Sequence, residues 1–70
     1  MSTPVTRGTI ALRRWMAEHD VPGRVLARRA GCSYSVVSLA AAGARVPGFE
    51  MRRNLRAVTG IDVAEWEQSP

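Results

Sequence analysis

The side chains able to do chemistry in this sequence are few in kind, and their kinds exclude catalysis. One cysteine, one histidine and scattered carboxylates supply no nucleophile beside a base, no carboxylate pair and no metal-ligand cluster. Cys32 has no partner for a disulfide and reads as a small buried apolar residue. His19, with no partner for catalysis or metal binding, fits a helix end. No catalytic residue, metal or cofactor is expected. Arginine is the abundant group: ten against six acids, with no lysine. Asp62, Glu65 and Glu67 fall near the C-terminus, so residues 1–61 carry a formal +7. Such a field attracts polyanions. Arg24, Arg28, Arg29 and Arg45, with the backbone at Gly23, are the candidate phosphate contacts. Tyr34, Ser35, Ser38 and Leu39 are the candidate base contacts, through hydroxyls that bond several bases and an apolar group that suits a thymine methyl. The usual readers, Arg on guanine and Asn or Gln on adenine, are missing from that stretch.

These groups must be positioned by residues 23–43. Leu26, Ala27 and Ala30 share one helical stripe, and Val37, Ala40 and Ala41 make a second. Between them, Gly31 can take the left-handed conformation that ends a helix, and Ser33 can cap the next. Two helices joined so tightly cross steeply, and Ala27 supplies the small residue the crossing needs. The pattern is a helix-turn-helix, with Tyr34, Ser35, Ser38 and Leu39 facing outward from its second helix.

The flanks complete an all-α reading with five helices. Residues 1–8, with Pro4 and Gly8, read as a flexible N-terminal arm. Residues 9–19 form a first helix capped by Thr9, with Leu12, Trp15, Met16 and His19 on its apolar face. Val21 anchors the next connection, and Pro22 suits the first turn of the second helix. After the loop 44–48, residues 49–59 place Met51, Leu55 and Val58 on one stripe. Gly60 ends this helix, and Asp62 caps a last one through about Gln68. Trp66 either closes the core or contacts another subunit, and it is the candidate dimer residue. The whole of 9–68 is expected to be one domain with a small core, burying roughly 60% of its unfolded surface. No apolar run spans a membrane and no signal-peptide core is present. A soluble protein of the bacterial cytoplasm, associated with the nucleoid, is the expectation.

Leu26-Ala27, Gly31-x-Ser33, Val37-Ser38, Gly43 and Pro47 together resemble the lambda-repressor and Cro (XRE) type of helix-turn-helix protein, from about Leu12 to Trp66. The resemblance implies a phage or bacterial transcription regulator; repression by blocking polymerase is the family expectation, and activation by touching polymerase is equally compatible with the residues. Such a protein binds palindromic operator DNA as a homodimer, with the third helix of each subunit in successive major grooves. The chain departs from the pattern in two places. Pro22 and Gly23 stand where a Ser or Thr cap and a DNA-contacting Gln are usual. Met16 and Ala41 stand where the family often has an Arg–Glu pair; losing both leaves no unpaired buried charge. The neutral third helix also suits a different role, a protein-interaction module docking a polymerase, recombinase or toxin partner through Tyr34, Val36, Leu39 and Ala42.

Overall fold

The computed structural model describes residues 5–70; residues 1–4 of the expected arm lie outside the described residues. Helix α1 spans Arg7–His19, α2 Gly23–Ala30, α3 Tyr34–Ala42 and α4 Phe49–Thr59, followed by a 3-10 helix at Val63–Glu67. No strand occurs among the described residues. The fifth helix is thus a short 3-10 segment, started by the Asp62 carboxylate, which accepts from the Ala64 amide at 3.1 Å.

Helix α1 begins two residues earlier than the sequence pattern indicates. Thr6 is the N-cap, and Thr9 takes the third helical position of a reciprocal capping box. The two threonines satisfy each other's amides, at 3.2 and 3.3 Å. Arg7 and Gly8 therefore belong to the helix and not to an arm. Its far end closes through Asp20 in the left-handed region (φ 51°), a conformation Asp tolerates better than most side chains. Pro22 is the N-cap of α2 and not its first helical residue, its carbonyl accepting from the Val25 and Leu26 amides.

Leu12, Leu26, Val37, Leu55, Ile61 and Trp66 form the core, with Ala27, Ala30 and Ala40 filling the close approaches of helices. Trp15, Met16, Val21, Cys32, Ala41 and Val58 pack around it half-buried. Met16 and Ala41 thus occupy apolar surroundings that suit their side chains. Burial raises the Cys32 thiol above its usual pKa. Trp66 is 1% exposed. This corrects its assignment as a dimer contact: α1, α4 and the 3-10 helix meet around the indole, so it closes the core.

The start of α1 and the 3-10 segment meet at the same place. Gly8 is buried against the Trp66 ring, and the Arg7 amide donates to the Gln68 carbonyl at 2.9 Å. The Arg7 guanidinium donates to Gln68 Oε1 at 2.7 Å. Arg52 binds the half-buried interior of this region, donating to the Pro47 carbonyl at 2.9 Å and pairing with Glu67 at 3.1 Å.

Candidate nucleic-acid interface

The turn between α2 and α3 is built by local signals. Gly31 adopts φ 69°, and the amides of Gly31 and Cys32 bond back to the carbonyls of Arg28 and Ala27. Ser33 Oγ then accepts from the Val36 amide at 3.4 Å, starting α3 two residues after α2 has closed. Ala27 is buried beneath the crossing.

With Val37 and Ala40 turned into the core, Tyr34, Ser35, Ser38 and Leu39 all lie exposed on the outer side of α3. Tyr34 and Ser38 stack in one i, i+4 row, and Ser35 and Leu39 in the next. Leu39 is 38% and Tyr34 51% exposed, which for apolar bodies of this size leaves substantial surface uncovered. The helix carries no charge of its own. Its C-terminal carbonyls are served instead by Arg13 of α1, whose Nε donates to the Ala41 carbonyl. Sequence spacing gives Arg13 no such role, because the contact crosses 28 positions.

The arginines divide by location. Arg24 places its guanidinium over the Tyr34 ring, 5.6 Å from the centroid, and so joins the start of α2 to the start of α3. Gly23 permits this approach: a Cβ there would stand 3.1 Å from Tyr34 Cε1. Because Pro22 contributes no side-chain cap, the first amides of α2 have no side-chain acceptor. Arg28 and Arg29 are exposed on the last turn of α2, and Arg45 is exposed in the loop after α3. Arg45 lines a cleft of about 120 Å³ with Val36, Pro47, Gly48 and Met51, which puts it between α3 and the start of α4. None of Arg24, Arg28, Arg29 and Arg45 makes an ion pair among the described residues. The structure thus brings Tyr34, Arg24 and Gly23 into contact, and places Arg45 beside Val36. It records no contact of Arg28 or Arg29 with the α3 face.

Phe49 is the exposed residue the sequence reading assigns no role. It opens α4 and is 63% exposed, more than any other large apolar side chain described. Its absence from the stripe of Met51, Leu55 and Val58 is the available signal.

No protein-family model matches the chain, and no curated protein sequence matches it. Solved structures do. The Pseudomonas aeruginosa antitoxin HigA, solved with the higBA promoter, has a TM-score of 0.74 at 22% identity over 91% of this chain and 70% of its own. The shared fold is a helix-turn-helix. The clp gene regulator ClgR from Corynebacterium glutamicum gives 0.69 at 25% identity, over 94% of this chain and 72% of its own. A hypothetical transcription factor from Neisseria, NHTF, gives 0.70 at 18% over 99% and 83%. These matches run across the helix-turn-helix and its flanks together, so the shared feature is the whole helical arrangement. Among the described residues, no helix is long and apolar enough to cross a membrane, and no group of three or more metal-ligating side chains gathers.

Proposed function

We propose that the chain is a sequence-specific DNA-binding transcription regulator of the lambda-repressor and Cro type, working without catalysis or cofactor. The observation that carries this reading is the exposed face of α3, standing on a helix-turn-helix and flanked by arginines that have no acidic partner. In this reading α3 enters the major groove. Ser35 and Ser38 donate to or accept from base edges, Leu39 meets a thymine methyl, and Tyr34 bonds a base or phosphate. Arg24, Arg28, Arg29 and Arg45, with the amides after Pro22, hold the phosphates and set register. Hydroxyl and apolar contacts discriminate less sharply than bidentate ones, so the phosphate contacts supply most of the affinity. A two-fold homodimer on a palindromic operator doubles the discrimination. Repression by occluding polymerase is the simplest consequence in a bacterial or phage setting.

Selection of bound sites from random duplexes tests the proposal. Enrichment of a palindrome supports it, and recovery of unenriched sequence overturns specific readout. The absence of charge on α3 favours one other reading, a module that docks a protein partner through the same face. In that case Ser35→Ala and Leu39→Ala abolish partner capture and leave DNA affinity unchanged at every sequence.

A further inference from the structure

The two ends of α3 are held differently. Its start follows the Gly31-Cys32-Ser33 turn directly and carries the Arg24–Tyr34 contact, so α2 fixes it. Its end has no basic residue in the last turn and runs into the loop 44–48. We propose that Arg13 of α1 is the positioning residue for that end: by holding the Ala41 carbonyl it sets the angle at which Ser38 and Leu39 are presented. The inference rests on the DNA-binding reading above and names what aims the helix.

The hydrogen bonds at the end of α3 leave one place for a side-chain donor. The Gly43 and Ala44 amides close on the Ala40 and Leu39 carbonyls at 3.2 and 3.0 Å, and the Arg45 amide also turns back to Leu39, at 3.3 Å. Among the described residues no backbone amide beyond the helix reaches the Ala41 carbonyl, and Arg13 Nε donates to it across the α1–α3 seam. A cation on a C-terminal carbonyl is favoured twice, by its charge-assisted bond and by the helix dipole.

The backbone beside this bond is also held by α1. A Cβ on Gly43 would stand 2.9 Å from Val5 Cγ2, 3.6 Å from Thr9 Cγ2 and 3.7 Å from Arg13 Nη2. Val5, Thr9 and Arg13, spaced four apart, therefore converge on the same helix end. Thr9 is 1% exposed and fixed by the capping box, so the middle of this row is anchored. The side chains that α3 itself buries, Val37 and Ala40, are short, and apolar packing is non-directional. The Arg13 bond supplies the direction that packing lacks. Base-edge contacts need it, since binding groups must be held to within about 0.5 Å of their productive geometry.

Two nearly isosteric substitutions isolate the bond. Gln places its side-chain nitrogen where Arg has Nε, and Met places a methyl there. Arg13→Gln thus keeps the donor, Arg13→Met removes it, and both lose the charge equally. Native-state amide hydrogen exchange of the full chain reads the positioning without DNA. In Arg13→Met the Gly43 and Ala44 amides should exchange about two- to tenfold faster, the range one net hydrogen bond allows, while α4 keeps its rates. Arg13→Gln should exchange as wild type does. Binding is then read on the duplex that wild type enriches most from random sequence, with a scrambled duplex as the non-specific control. Compared with Arg13→Gln, Arg13→Met should lose about two- to tenfold on the enriched duplex, nothing on the scrambled one, and show the same salt slope. Combined with Leu39→Ala it should add little further loss, because both act on one contact. Equal exchange and affinity in the two variants overturns the proposal. So does exchange accelerated throughout the chain, which marks a general stabiliser, or a salt slope lowered by about one unit in both variants, which marks a phosphate contact. If wild type enriches no sequence, the regulator reading fails by itself, and the exchange rates still decide whether Arg13 holds the end of α3.

Discussion

The turn between α2 and α3 and the clasp between the start of α1 and the 3-10 segment are both small, and they are encoded in opposite ways. The turn is set by neighbours in sequence: Gly31 in the left-handed region, Ser33 capping, Ala27 small at the crossing. The clasp joins positions about sixty residues apart, with Gly8 under Trp66 and Arg7 on Gln68. The turn presents side chains outward and buries little. The clasp presents almost nothing and closes the core. On the function proposed above, binding and stability are therefore carried by different segments, and substitutions should separate them.

The largest expected effect lies in the clasp. Trp66 is the largest fully buried side chain, and Trp66→Ala should cost about 3–5 kcal/mol, typical of truncating a buried aromatic. Its indole N–H finds no acceptor among the described residues. In a domain of this size such a loss approaches the whole stability. Urea denaturation checks it, and a midpoint within error of wild type would show that the indole does not close the core.

A pair of alanine substitutions contrasts the regions by mechanism. Gly→Ala inside a helix ordinarily stabilises by about 0.5–1 kcal/mol. At Gly8 the sign should reverse, because the added Cβ would stand 2.6 Å from Trp66 Cε3 and 2.8 Å from Cε2; overpacking of this kind costs about 1–3 kcal/mol. Gly31→Ala meets no neighbour within 4 Å and should lose only about 1–2 kcal/mol, from the left-handed backbone. Gly31→Val should lose more. Thermal melts of the three variants measure the difference, and a stabilised Gly8→Ala would contradict the close approach.

On the α3 face the effect should move from stability to binding. Ser35→Ala and Leu39→Ala should each weaken specific DNA binding by about 1–3 kcal/mol where the contact is good. Their unfolding free energies should stay within about 0.5 kcal/mol of wild type. Replacing a contacted thymine by uracil should reproduce the Leu39→Ala loss. Unchanged affinity in both variants would turn the face toward a protein partner.

Legibility in the sequence follows the same division. The end of α2, the start of α3, Gly31, Ser33 and the α4 span rest on periodicity and caps within a few residues and were readable, whereas Pro22, expected in the first turn of α2, is its N-cap. So was the exposure of Tyr34, Ser35, Ser38 and Leu39, which follows once Val37 and Ala40 turn inward. The start of α1 was displaced because Thr6 and Thr9 both suit a cap, and only the reciprocal hydrogen bonds decide between them. Trp66 had two readings because burial depends on Gly8, far away in sequence. Arg13 on the Ala41 carbonyl and Arg52 on Pro47 and Glu67 look like solvated charges until the helices are packed. Composition counted ten arginines but could not sort them.

That sorting yields the smallest and most selective expectation. Arg24, Arg28, Arg29 and Arg45 are exposed without acidic partners, whereas Arg7 and Arg52 are held by Gln68, Pro47 and Glu67. A cation that neutralises a phosphate releases counterions, so its removal should reduce the slope of log affinity against log salt by about one unit. Arg28→Ala and Arg45→Ala should each do so, weakening all DNA sequences alike. Arg24→Ala should do the same and also free the Tyr34 ring, adding a loss confined to specific sites. Arg7→Ala and Arg52→Ala should leave the slope unchanged and shift stability instead. The Arg52–Glu67 pair is largely open to water on its acidic side, so its Coulombic share should be within about 1 kcal/mol. Titrations of one duplex at several salt concentrations distinguish the two sets. Equal slopes for wild type and a chain lacking Arg24, Arg28 and Arg45 would remove the phosphate contacts from α2 and its neighbouring loop, and a slope lost with Arg7 or Arg52 would move the nucleic-acid surface to the clasp.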